Sequence, residues 1–319
     1  MVSRKKSDVI IIGAGPAGLT AAIFCRMRKL STLIIDLKEP GGQMRSIYPS
    51  KPVMDYPSYD LIFAVELADN MIRQTKKLGI ELVLGERVEE VITTRDDFEI
   101  ITSNDKYRSK AVILAMGIGV FSPRELGIIG EREFIGCGVT YGIPKIQAAK
   151  DKRVLCVGGG NSSLEAALTV KDAAKEVILI HRNKSFEAYE FYKESILNSQ
   201  VKVKFHTELK EILGEERVNE VILFNREDKK YEKLKIDLIV INIGLITNFK
   251  KLKDWNLEVD DKGIKVDSQM RTSREGIFAC GDMVSYQGKL KLLISASGEG
   301  SIAAESAFKY IEKKEIVRS

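Results

Sequence analysis

Gly13, Gly15 and Gly18 stand at the spacing Gly-x-Gly-x-x-Gly between an apolar run, Asp8-Val-Ile-Ile-Ile12, and a helical pattern of Leu19, Ala22 and Ile23. Asp36 closes the next apolar run 18 residues after the last of these glycines. Each residue type has a use at its place. Gly13 permits a tight turn, Gly15 lets the backbone approach a pyrophosphate held at the helix N-terminus, and Gly18 lets helix and strand pack closely. The Asp36 carboxylate can accept hydrogen bonds from ribose hydroxyls, so the motif predicts a dinucleotide site that also takes in Pro16 and Ala17.

The pattern occurs twice. Shifting the chain along itself by 145 residues lays Ile12-Gly-Ala-Gly-Pro-Ala-Gly-Leu19 on Val157-Gly-Gly-Gly-Asn-Ser-Ser-Leu164. Gly158 and Gly160 repeat the first two glycines, Asn161 and Ser162 follow, and Ser163 stands at the third. At the strand end His181 replaces Asp36, followed by Arg182 and, two residues on, Lys184. A carboxylate there would repel a ribose 2′-phosphate, whereas an arginine makes charge-assisted bonds to it. The first unit therefore suits FAD and the second NADPH, with NADH also admissible.

The elements that must carry these loops repeat as well. Each unit reads as strand, glycine loop, helix and strand: residues 8–12 with Thr32–Ile35, and 153–157 with Val177–Ile180. Two such units predict an α/β fold of two doubly wound, Rossmann-like parallel sheets. Between them an amphipathic helix is expected over 61–79, strands around 80–92 and 98–102, and another at Ala111–Ala115. Glycine joints at Met116-Gly117-Ile-Gly119 and Asn242-Ile-Gly244 mark the crossings. The NAD(P)H unit, 118–246, is then inserted into a discontinuous FAD unit, 1–117 and 247–319. His206 falls in a strand-like run from Val201 and receives no role, and the last helix is expected from near Gly298 to near Ile311.

Composition narrows the class. With 44% hydrophobic and 30% charged residues, and 7 prolines against 25 glycines, the 319 residues are neither collagenous nor disordered. The apolar runs fall far short of the ~20 residues of a membrane-spanning helix, and the start at Met1 carries no signal pattern, so a cytoplasmic protein is expected. Cys25, Cys137, Cys156 and Cys280 lie 112, 19 and 124 residues apart, leaving no Cys-x-x-Cys for a redox dithiol or a zinc site. A net charge of +5, dispersed along the chain, does not point to nucleic acid. The short basic clusters Arg4-Lys5-Lys6, Lys150-Asp-Lys-Arg153, Lys289-Leu-Lys291 and Lys313-Lys314 read as solvated faces or a local patch for an acidic partner.

Further segments carry a resemblance. Gly41-Gly42-Gln43, Ala115-Met-Gly117, Gly130-Glu131 with Gly138-Val-Thr-Tyr141, the second glycine loop and Gly276-Ile-Phe-Ala-Cys-Gly-Asp282 run in an order that resembles the low-molecular-weight thioredoxin reductases over nearly the whole chain. In those enzymes a Cys-x-x-Cys follows directly and exchanges with thioredoxin. Here the four positions are Gly142-Ile-Pro-Lys145. Ser46-Ile-Tyr48-Pro49-x-Lys51, Met116 through Arg124, and Asp282 through Lys289 instead resemble the thioredoxin-reductase-like ferredoxin–NADP⁺ reductases.

That resemblance implies a flavoprotein that takes hydride from NAD(P)H onto FAD and passes single electrons to ferredoxin or a similar small acidic iron–sulfur protein, or the reverse. It also implies a homodimer. Tyr48 would stack on the flavin ring, Gln43 would bond its polar edge, and Asp282 would hold the ribityl and pyrophosphate side. A helix starting near Gly298 would aim its positive end at the ring. Gly42, Asp55, Gly117 and Glu299 complete the FAD set, Glu299 also capping or packing at that helix start, and Gly244 joins the NADP set. The cofactor carries the chemistry, so no catalytic acid, base or metal is expected. Asn183 and Glu187 stand where the family has further arginines, which predicts incomplete selectivity for NADPH. The family's C-terminal extension over the flavin is not seen before Ser319, so a less shielded flavin is expected. Other readings stay open: an NAD(P)H oxidase or diaphorase, a thioredoxin-reductase-like protein without dithiol activity, and an FAD- and NAD(P)-binding redox sensor acting through a partner.

Overall fold

Strand Lys6–Ile12 is apolar without a break from Val9 to Ile12, because both faces of that stretch are covered. In the computed structural model, which describes residues 6–117, 121–247, 252 and 254–318, it lies at the centre of a seven-stranded sheet. It pairs in parallel with Thr32–Asp36 on one side and Lys106–Leu114 on the other. Glu81–Leu84 and Ile277–Ala279 extend the parallel part, and the hairpin Val88–Thr93 and Phe98–Thr102 adds an antiparallel edge. The period of two divides the buried residues between two cores. Val9, Ile11, Ile34 and Ile113 pack under helices Pro16–Met27, Ala64–Lys77 and Leu293–Arg318. Ile10, Ile12, Ile35 and Leu114 face Phe98, Ile100, Leu257 and Met283.

A second compact unit, Phe121–Ile246, interrupts the first, which comprises Met1–Val120 and Thr247–Ser319. Its five-stranded sheet is wholly parallel, in the order Val139–Tyr141, Leu238–Ile241, Arg153–Val157, Glu176–Ile180, Lys202–Lys204. Helix Asn161–Val170 packs on strands Arg153–Val157 and Glu176–Ile180. Leu155, Val157, Ile178 and Ile239 instead meet Leu209, Ile212, Val221 and Leu223 of a three-stranded antiparallel sheet, Thr207–Gly214, Val218–Asn225 and Lys230–Lys235.

Several local expectations change. The run from Val201 leaves its strand after Lys204, and His206 takes a left-handed turn with φ +55°, which redirects the chain into the antiparallel sheet. The strand expected over 80–92 breaks at Gly85, φ +80°, into a parallel and an antiparallel piece. The last helix begins at Leu293 rather than Gly298 and runs to Arg318. Its buried stripe, Ala296, Gly300, Ala303, Ala304, Ala307 and Ile311, has helical spacing throughout, and Gly298 lies on the exposed side where a glycine interrupts no packing. Ile118, Gly119 and Val120 of the first expected crossing lie outside the described residues.

Candidate functional site

The first glycine loop sits where strand Lys6–Ile12 ends and helix Pro16–Met27 begins. Gly13 has φ +108°, and a Cβ there would stand 2.3 Å from the Ala115 carbonyl oxygen. A Cβ on Gly18 would stand 1.9 Å from the Gly13 carbonyl oxygen, so helix and loop touch through bare backbone. Gly15 caps the helix with no side-chain hydrogen bond, and the first turn holds no acidic residue. The first turn thus brings no carboxylate of its own to compete for its amides, the donor set a pyrophosphate requires. Asp36 accepts the Ala14 amide at 2.6 Å and the Lys38 amide at 2.9 Å, so it shapes the loop while its carboxylate oxygens keep further lone pairs for hydroxyl donors.

Gly42 closes in from the side: with φ +56°, its Cβ position is 2.9 Å from Gly15 Cα. Gln43, next along, donates from Nε2 to Asp282 at 3.0 Å, which brings together two candidates 239 residues apart. Gly117 joins them, its Cβ position 3.8 Å from the same Nε2. Tyr48 is half-buried in the turn that follows, its amide bonded to the Gln43 carbonyl at 3.0 Å, while Asp55 is exposed. These residues fit a dinucleotide carrying a polar ring system: bare backbone beside an uncapped helix end, then an amide and a carboxylate.

Gly298 and Glu299 take different places from those expected. Both lie inside the last helix, whose positive end is at Leu293, because helical packing continues five residues further back than the glycines suggest. Glu299 is buried, and its carboxylate is engaged by Gly281, Tyr286 and Lys289. It supports the loop that carries Asp282, and burial beside this carboxylate pushes the Tyr286 hydroxyl up to about 12. Gly300 carries no motif signal in the sequence; a Cβ there would stand 2.3 Å from the Ala17 carbonyl oxygen, so the last helix can lie against helix Pro16–Met27 only with glycine at this position.

The second loop repeats the first in detail. Gly158 has φ +138°, and its Cβ position meets Ser163 Oγ at 2.2 Å and the Asn242 carbonyl oxygen at 2.3 Å. Gly160 caps helix Asn161–Val170 without a side-chain bond. Ser163 stands in place of the third glycine, and its hydroxyl donates to the Asn242 carbonyl at 3.0 Å. Asn161 accepts the Tyr189 amide at 2.8 Å, and Ser162 offers its carbonyl to Asn242 Nδ2 at 3.2 Å. Gly244 is exposed with φ +107°.

His181 is buried, not a solvent-facing neighbour of Arg182. Its ring lies flat on Gly159, whose Cβ position is 2.3 Å from Nδ1. Burial holds the imidazole below its ordinary range against the weaker upward pull of Glu187, so it is neutral at pH 7. Its Nε2 is buried without a hydrogen-bond partner among the described residues. Arg182 and Lys184 are exposed cations at the same strand end, and Asn183 contacts Glu187 at 3.5 Å. Two exposed cations beside a neutral ring, with no carboxylate at the strand end, fit an adenosine ribose bearing a phosphate.

Where thiols would follow Tyr141, the Gly142 amide donates to Asn242 Oδ1 and its carbonyl accepts from Asn242 Nδ2, each at 3.0 Å. Ile143 and Pro144 are buried. All four cysteines are free, and Cys25, Cys156 and Cys280 are buried, with thiols pushed far above their ordinary range by desolvation. Among the described residues no cluster of His, Cys, Asp or Glu has the makings of a metal site.

Comparison with known proteins places this architecture. The family described as pyridine nucleotide-disulphide oxidoreductase matches over residues 7–300. The chain is 39% identical to a ferredoxin–NADP reductase of Thermus thermophilus over 95% of this chain and 92% of that one. It is 35% identical to a ferredoxin–NADP reductase 2 of Bacillus pumilus over 97% of this chain and 94% of the relative. Among solved structures it resembles thioredoxin reductase of Lactococcus lactis, with a TM-score of 0.86 and 29% identity, covering 96% of this chain and 99% of that one.

Proposed function

The chain belongs to the pyridine nucleotide-disulphide oxidoreductase family, and on that premise we propose that it is a ferredoxin–NADP⁺ reductase. It binds FAD in the first unit and NADPH in the second, and exchanges electrons with ferredoxin or a similar small acidic iron–sulfur protein. The observation that carries this reading is the segment Gly142-Ile-Pro-Lys145, pinned by Asn242 and devoid of thiols. It leaves a family member with no dithiol relay, so electrons must leave by another route. FAD, when bound, supplies the conversion between hydride and single-electron transfer. The protein's residues hold and orient: the Gly13–Gly18 loop receives the pyrophosphate, Asp36 the ribose, and Gln43 and Asp282 the polar side of the flavin, with Tyr48 against its ring. Asp55 completes the set at its rim. Among the described residues no helix is long and apolar enough to cross a membrane, and a cytoplasmic homodimer belongs to the same reading.

The purified protein is expected to be yellow, with about one FAD per chain, and to bleach under anaerobic NADPH before reducing ferredoxin or ferricyanide. A colourless preparation that takes up no FAD and ignores NADPH ends the proposal. Rapid oxygen consumption without response to ferredoxin would instead favour an oxidase.

Coenzyme choice tests the second unit. His181 is neutral, so Arg182 supplies most of the attraction to a 2′-phosphate, with Lys184 beside it. A charge-assisted bond contributes on the order of 1.5–3 kcal/mol, roughly 10- to 100-fold in affinity. Arg182→Ala is expected to raise the KM for NADPH by about that factor and leave NADH kinetics nearly unchanged. Equal losses with both coenzymes would assign Arg182 a role other than reading the phosphate.

A further inference from the structure

Glu299, in the second turn of the last helix, is 3% exposed, yet three donors from one loop converge on it. The Gly281 amide reaches Oε2 at 2.8 Å, while the Tyr286 hydroxyl at 2.7 Å and the Lys289 ammonium at 2.5 Å share Oε1. The Lys289 side chain is only 9% exposed, and its ammonium stands 5.8 Å from the centre of the Tyr286 ring. Desolvating two charges is costly, and apolar residues in their place are often as stable, so stability alone is a weak reason for such a pair. Its placement supplies a better one. The carboxylate ties the first and last residues of segment 281–289 to a single helix. Gly281, with φ +83°, abuts helix Pro16–Met27, its Cβ position 3.1 Å from Ala17 Cβ. Asp282 follows immediately and receives Gln43.

We propose that Lys289 and Glu299 are positioning residues, whose ion pair clamps both ends of loop 281–289 and so holds Asp282 and Gln43 in the arrangement that receives the flavin. The clamp rests on the FAD reading above. It acts through the Gly281 amide, so its loss loosens the cofactor through the loop, with the Asp282 and Gln43 side chains left in place.

The test strips FAD from the full chain and titrates it back. Three variants serve: Lys289→Met, the double variant Lys289→Met/Glu299→Gln, which leaves no unpaired charge, and Tyr286→Phe, which deletes one hydroxyl and keeps both charges. The double variant is expected to recover most of the apoprotein melting temperature lost in Lys289→Met. It should still bind FAD about tenfold more weakly, with displaced flavin absorption bands and an altered midpoint potential; Tyr286→Phe should weaken binding about threefold. A purely structural pair changes apoprotein melting alone. Folded double and Tyr286→Phe variants with wild-type FAD affinity, spectrum and potential would overturn the clamp, whereas a wild-type chain that takes up no FAD overturns the clamp and the FAD reading together.

Discussion

Gly13→Val is expected to leave the chain folded but colourless, with FAD lost on gel filtration and no response to NADPH. The substitution meets two obstacles at once. Its backbone stands at φ +108°, a region a β-branched residue does not enter without strain, and its Cβ would lie 2.3 Å from the Ala115 carbonyl oxygen, backbone that cannot swing aside. Strain of about 3 kcal/mol at one residue corresponds to a site weakened roughly 100-fold, and displacement of the loop from the helix end adds to it. Gly127→Asn is the matched control, because Gly127 also has positive φ, at +72°, but nothing lies within 4 Å of its Cβ position and asparagine tolerates that backbone. FAD titration of both apoproteins, with far-UV melting to establish folding, decides the matter. Wild-type affinity in folded Gly13→Val would show that this loop does not hold the cofactor.

Reduction of thioredoxin should stay at background while ferredoxin or ferricyanide is reduced. Thiol–disulfide exchange requires an accessible thiolate. The Cys25 and Cys156 thiols, pushed up to about 12 by burial, stay protonated at pH 7, and burial denies them a partner as well. Cys137, half-buried, is the remaining thiol of intermediate exposure, so alkylation of the native protein should label it first. Cys137→Ser is expected to change neither outcome. NADPH-dependent reduction of a disulfide reagent through thioredoxin is the measurement, and efficient turnover would require a relay that none of the four cysteines provides.

Much of the fold was legible because its determinants are local. Short unbroken apolar runs, a glycine at the turn and a helical pattern directly after are all read within about 30 residues. The offset of 145 identified the second unit without reference to any contact. The three-stranded sheet from Thr207 to Lys235 escaped because its strands are rich in charged residues, the last exposed at nearly every position, and their pairing depends on an opposing surface. The start of the last helix was misplaced because glycines signal a boundary only when packing does not override them, and here Ala296 and Gly300 are buried on either side of an exposed Gly298.

The sequence alone determined that two glycine loops lie at strand–helix junctions, that Asp36 ends one unit and His181 with Arg182 ends the other, and that the dithiol is missing. Those properties follow from residue type and near neighbours. Only the tertiary structure decided what each polar group does once folded. It placed Gln43 against Asp282 across 239 residues, Asn242 around Gly142 across 100, and three donors of one loop on Glu299. It also buried His181 and left Arg182 in solvent, although the two are adjacent in the chain. Successive residues leaving a strand point to opposite sides, so the charge state of one and the reach of the other depend on which side the glycine loop covers.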